Sequence, residues 1–187
     1  MRLVFMVEEL SMKALLEIIL PKILPTGFEK PLIIAHNGKS DLARSIPRKL
    51  QGWQSSDDRF IIVHDQDSND CVQLKNSLQS LCKSTRNDCL VRIVCDELES
   101  WYFGDLKAVS LAYGKDYTPL AVKRKYRVPD RVMNAKEEFN KLVPVHQPIG
   151  GARKIASFMD VNNNTSHSFN VFIKGVRKMC HVSTTGA

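Results

Sequence analysis

The sequence predicts an α/β fold: a mostly parallel sheet flanked by helices, with a small α-rich extension at the C-terminus. Two observations predict it. Short apolar runs at 3–7, 32–35, 59–64 and 90–95 read as strands buried on both faces. Segments of helical period separate them, and strands alternating with helices imply right-handed crossovers and a parallel sheet covered on both sides. The division expected is an α/β domain over residues 1–115, with the extension over 116–187 packed on it.

The elements follow in order. After the first strand, Leu10, Ala14, Leu15, Ile18 and Ile19 recur at helical spacing, and Pro21 with Pro25 ends that helix. The second strand leads into the turn His36-Asn37-Gly38-Lys39-Ser40-Asp41, whose Ser40 or Asp41 is placed to cap a helix running to about Trp53. Pro47 should kink or split it. The third strand precedes Cys71, Leu74, Leu78 and Leu81, which share one helical face. The fourth precedes a helix over 96–103, where Leu98, Trp101 and Tyr102 form an apolar face that reads as core rather than as a base-stacking platform. Beyond Gly104, prolines punctuate a basic stretch at 123–127, and short helices are expected near 135–142, 151–159 and 166–177. Residues after about Cys180 should be loosely held.

The strand ends carry the chemistry. Phe60-Ile61-Ile62-Val63-His64 delivers Asp65 and Asp67 at a carboxyl end, where α/β sheets place their sites. Side chains alternate along a strand, so the pair should point the same way and share one divalent cation. Glu8-Glu9 follows the first strand and Glu97 and Glu99 follow the fourth, which adds carboxylates from neighbouring strands. Helix capping accounts for one acid before the helix at 71 but not for this set. On a regular helix Glu97 and Glu99 lie about 200° apart, so at most one is a direct ligand. Lys39 stands in a Gly38-Lys39-Ser40 turn that resembles the tail of a Walker loop, but no Gly lies between 28 and 37, which excludes that loop. A lysine there would neutralise a scissile phosphate. Gly150-Gly151-Ala152-Arg153, with Lys154, is a candidate anion-binding helix start, while His64 and His146 are weak base candidates.

Composition sets the partners. Lys and Arg number 27 against 20 Asp and Glu, a formal charge of +7 that favours a polyanion such as nucleic acid. The segment containing Lys123 and Arg124 would supply sequence-independent backbone contacts. Five cysteines without a CxxC pair fit reduced, buried thiols and argue against zinc. No run approaches the ~20 apolar residues that cross a bilayer, and the expectation is a cytoplasmic protein that does not engage membranes.

Together, the run from Val7-Glu8-Glu9-Leu10 to Leu16, Gly38-Lys39-Ser40-Asp41-Leu42, Asp65-Gln66-Asp67-Ser68, Glu97-Leu98-Glu99-Ser100-Trp101-Tyr102 and Gly151-Ala152-Arg153 resemble a bacterial Toprim-like family of unknown function over nearly the whole chain. The Toprim group includes topoisomerase and primase domains and nucleases of the overcoming-lysogenization-defect type, and members of the resembling family are often encoded near ATPases in mobile or phage-defence loci. The resemblance places the Toprim glutamate on Glu8 and the Asp-x-Asp pair on Asp65 and Asp67, with Glu9 where that motif usually has Gly. It implies Mg²⁺- or Mn²⁺-dependent hydrolysis of phosphodiesters in DNA or RNA, in a phage-defence or toxin system. A nearby ATPase and self-association are further partners to expect. Two alternatives stand beside it: a non-catalytic metal- and nucleic-acid-binding subunit of an ATPase, and an Asp-x-Asp phosphatase using Asp65 as nucleophile and Asp67 as acid. The phosphatase reading is the weaker, because haloacid-dehalogenase folds carry the pair on the first strand and this chain carries it on the third.

Overall fold

A computed structural model describes residues 1–83 and 89–181. Four strands, β1 (Leu3–Val7), β2 (Leu32–Ala35), β3 (Arg59–Asp65) and β4 (Cys89–Val94), form one sheet in the order β2-β1-β3-β4, and every pairing is parallel. Each strand is followed by helix: α1 (Leu10–Ile19), α2 (Lys39–Gln51), α3 (Cys71–Cys82) and the short α4 (Glu99–Phe103). Beyond them lie α5 (Leu106–Tyr113), α6 (Ala135–Leu142), α7 (Pro148–Phe158) and α8 (His167–His181), with 3₁₀ turns at Thr118–Val122 and Pro129–Arg131.

Period two sorts the sheet into two cores. Leu3, Phe5, Val7, Ile61 and Val63 pack against residues of α1, α4 and the C-terminal helices, including Leu15, Leu16, Trp101, Ile155, Phe169 and Phe172. Val4, Met6, Phe60 and Ile62 face the other way, onto Leu42, Ile46 and Leu50 of α2 and Leu78 of α3. Helices therefore cover both faces, and β1 is buried along its whole length because it has a neighbour on either side. The C-terminal helices share the core of the sheet, and α7 lies along α1, where Lys22 Nζ donates to the carbonyls of Ala156 and Met159 at the end of α7.

Several boundaries differ from expectation. Pro47 lies within a single helix, α2, rather than splitting it. Neither Ser40 nor Asp41 caps that helix; both lie inside its first turn, and Asp41 Oδ2 accepts from the Asn37 amide instead. The helix expected to open at 151 begins at Pro148, so Gly151 belongs to its first turn. A Cβ at Gly151 would collide with the His146 imidazole and lie 2.7 Å from the Tyr113 hydroxyl, so the glycine marks a close approach. Trp101 and Tyr102 are core residues, as their periodicity implied. Of the cysteines, Cys82 and Cys180 are buried, and Cys71, Cys89 and Cys95 are half-buried. Among the described residues no helix is long and apolar enough to cross a membrane. The loosely held tail expected after Cys180 lies, from 182 onward, outside the described residues.

Candidate functional site

The order β2-β1-β3-β4 puts the reversal of strand order between β1 and β3, and in open α/β sheets the crevice beyond those carboxyl ends is the place a ligand binds. Glu8 and Glu9 leave β1 there, and Asp65 ends β3 there. The loop after β2 closes over the same end: the amides of His36 and Gly38 donate to the Val7 and Glu8 carbonyls, both at 3.1 Å. Gly38 turns at φ +84°, which a side chain resists, and delivers Lys39 to the site.

Asp67 reaches the site by a different route from the one its spacing implied. The strand ends at Asp65, and Asp67 adopts a left-handed φ of +49°, so period two does not govern its direction. A continued ladder holds it, with the Gln66 amide donating to the Val94 carbonyl and the Asp67 amide to that of Asp96, each at 2.9 Å. The carboxyl of Asp67 is paired with Lys39 Nζ at 3.3 Å. Asp70, not Asp67, caps α3 by accepting from the Gln73 amide at 2.8 Å. Capping therefore consumes neither member of the Asp-x-Asp pair.

The three acids after β4 divide their roles. Asp96, at φ +58°, and Glu97 precede the helix and accept from the Ala135 and Lys136 amides, each at 2.7 Å, so they dock the N-terminus of α6. Glu99 opens α4, is buried, and is the acid whose charge bears on Asp65.

Crowding shapes the proton affinities. Burial, with Glu99, Glu8 and Asp67 adding like charge, holds the Asp65 carboxyl well above its ordinary range. Burial also raises Glu8, reinforced by Asp67 and Glu9 and opposed by His64, whose Nδ1 lies 3.4 Å from Glu8 Oε2. That oxygen is buried and accepts no hydrogen bond among the described residues. Burial lifts Glu97 as well, and carries Glu99 to about 7. Beside Lys39, a second ammonium offsets the group: Lys136 Nζ stands 3.8 Å from Glu9, and its own affinity for a proton is raised by Glu9, Glu99, Glu97 and Asp65 against the cost of burial. Sequence reading missed Lys136. The signal available was a lysine in the first turn of a helix, where the dipole disfavours a cation.

The pH consequence is specific. The carboxyl of Glu99 binds its proton more tightly folded, at about 7, than at its ordinary 4.5, so it costs stability as pH rises through that window and the full cost remains above it. In EDTA, Glu99→Gln should stabilise the protein by about 3 kcal/mol at pH 8, with the gain vanishing near pH 4.5. Urea unfolding at the two pH values measures it; an equal effect at both would refute the assignment.

The basic candidates separate. Arg153 pairs with Glu17 of α1 at 3.5 Å, and Lys154 lies over the Tyr113 ring, so neither contacts Glu8, Asp65 or Asp67. His146 bonds the Tyr113 hydroxyl through Nδ1 at 2.7 Å, and burial lowers its affinity for a proton. Of the acid cluster, Asp67 and Glu97 open onto a cleft of about 600 Å³ that Asp96, Lys136 and Met133 also line. Arg124 lies in a neighbouring groove, and Lys123 does not line the cleft. Among the described residues no three His, Cys, Asp or Glu side chains already stand close enough to hold one ion. In this arrangement lysines are what offset the carboxylates.

No curated protein and no solved structure matches the chain. A family model described as a domain of unknown function (DUF4276) matches residues 7–177, a span holding every member of the acid cluster, and the chain belongs to that family.

Proposed function

We propose that the chain is a Toprim-like phosphodiesterase that uses Mg²⁺ or Mn²⁺ to hydrolyse DNA or RNA. The observation that carries this reading is the buried Oε2 of Glu8, which accepts no hydrogen bond among the described residues and has the His64 ring 3.4 Å away, set at the switch point beside an Asp65 carboxyl whose charge burial and its neighbours oppose. A cluster of like charges without enough countercharge favours a cation, and an all-oxygen donor set suits a hard one.

Glu8, Asp65 and Asp67 would hold the ion, with the charge of Glu99 bearing on Asp65. When bound, such an ion lowers the pKa of a coordinated water and offsets charge growing on the phosphate. Lys39, released from Asp67, and Lys136 would face the non-bridging oxygens, a role that needs only a fixed positive charge. Glu99, pushed up to about 7 by burial, is only partly ionised at neutrality and so adds less negative charge to the cluster than an ordinary carboxylate would. Glu97 stays committed to the Lys136 amide and keeps α6 against the cleft.

The competing reading is a binding subunit that cuts nothing, and the existing pairs Lys39–Asp67 and Lys136–Glu9 favour it, since they neutralise the acids without metal. A role beside an ATPase in phage defence rests on the family resemblance alone. Incubating the purified protein with plasmid, single-stranded DNA and transfer RNA, in Mg²⁺, Mn²⁺ or EDTA, separates these readings. Metal-dependent cleavage that disappears in Glu8→Gln is the expected result. Oligonucleotide binding with no cleavage under any metal would select the binding subunit, and release of phosphate from a generic monoester would select the phosphatase.

A further inference from the structure

The segment from Lys123 to Met133 contains one acid, Asp130, and that acid is already committed. Its carboxylate accepts from Ser166 Oγ at 2.6 Å and from the Ser168 amide at 2.7 Å, holding the start of α8. Lys125 is also committed, to Glu138 at 2.6 Å. Arg124, Arg127 and Arg131 remain exposed, and among the described residues none has a carboxylate within ion-pair distance. Tyr126 fixes the segment between them: its ring stacks on Phe103 at 5.4 Å and its hydroxyl donates to Glu138 at 2.6 Å. The three guanidinium groups therefore project from a loop whose backbone is anchored, so that meeting a partner costs side-chain freedom and not loop ordering.

These arginines line a groove of about 690 Å³ with Lys125, Val128, Val132 and Met133. Met133, 79% exposed, also lines the cleft of the acid cluster, so groove and cleft meet at its side chain. Docking of α6 by Asp96 and Glu97 sets that junction.

We propose that this groove seats the sugar–phosphate backbone of a nucleic-acid strand and leads it past Met133 to the carboxylates. The inference deepens the hydrolytic reading and rests on it for the destination of the strand. Charge complementarity selects the occupant: planar guanidinium groups with no local counter-ion match a chain of phosphates. No exposed aromatic lines the groove, so contact is with the backbone and carries no sequence preference.

The test is fluorescence anisotropy of a labelled single-stranded oligonucleotide with the full chain in EDTA, across a salt series. Three backbone contacts on a single strand contribute about two units to the slope of log K against log salt. The triple variant Arg124→Ala, Arg127→Ala, Arg131→Ala should flatten the slope by about two and weaken binding by about 100-fold at about 0.1 M salt. All three positions are exposed, and circular dichroism checks the fold. A control triple at exposed lysines elsewhere, Lys30→Ala, Lys107→Ala and Lys178→Ala, should stay within about threefold. Equal loss in both triples would overturn the groove in favour of diffuse charge. Displacement of the oligonucleotide by polyglutamate at equal charge would make the occupant an acidic polypeptide and also overturn it. Because binding is read without metal, absent cleavage with intact, groove-dependent binding would sink the hydrolytic reading alone.

Discussion

Asp65→Asn is expected to lower metal-dependent cleavage by about 1000-fold or more and, in the same preparation, to raise the melting temperature in EDTA. The two effects share a cause. Asp65 sits at the end of β3 with Glu8, Asp67, Glu9 and Glu99 all opposing its ionisation, so its charge is a cost to the folded protein whenever no cation is bound. Asparagine keeps the shape and removes the repulsion. It also removes the donor that a divalent ion needs, and loss of several kcal/mol of transition-state stabilisation corresponds to three or more decades of rate. The sign of the stability change follows from linkage: a carboxyl whose folded proton affinity exceeds its unfolded one loses stability as pH rises, so the gain from Asn is largest above neutrality and shrinks toward acid. Calorimetry in EDTA at pH 8 and at acid pH, beside a cleavage assay in Mn²⁺, reads both. A variant that is inactive but less stable would mean that Asp65 is structural.

Trp101→Ala should cost about 3–5 kcal/mol, enough to lower the melting temperature by roughly 10 °C in a chain of this length. Trp101 is fully buried, its ring centroid lies 5.1 Å from those of both Phe169 and Phe172, and its Nε1 donates to Ser168 Oγ at 2.9 Å. Truncation leaves a cavity between α4 and α8 and strips one partner from the hydroxyl of Ser168. The nearby carboxylates remain on β1 and β3, so residual folded protein should retain oligonucleotide binding, which is read at a temperature below its transition. A loss under 1 kcal/mol in urea unfolding would show that α8 does not close this core.

Much of the architecture was legible because burial leaves a one-dimensional trace. Strands such as Phe60-Ile61-Ile62-Val63 are apolar on both faces only when helices cover both faces, and the helix between each pair of strands announces itself by period. The acids at the ends of β1 and β3 were legible for the same reason: a charged residue interrupting a buried run marks where the strand leaves the core. What a single residue does within a turn was not. Asp67 and Asp70 are alike in sequence, yet a left-handed backbone directs the first to Lys39 while the second caps α3. Glu97 and Glu99 take different roles because the helix starts at Glu99, three residues later than the expected 96, and Glu97 stays in the irregular turn before it.

By itself, then, the chain determined its layered α/β build, the carboxylates at two strand ends and a net positive charge, since apolar runs, periodicity and ion counts are properties of adjacent residues. Only the tertiary structure decided that β1 and β3 are neighbours and that Lys136, some 70 residues beyond Asp65, supplies countercharge to the same cluster. It also decided that Asp130 is spent on Ser166 and Ser168, which leaves three arginines without an ion-pair partner among the described residues, in a groove beside the cleft. Those are contacts between distant segments, and they exist because packing helices onto a sheet brings together side chains whose separation along the backbone carries no signal of their meeting.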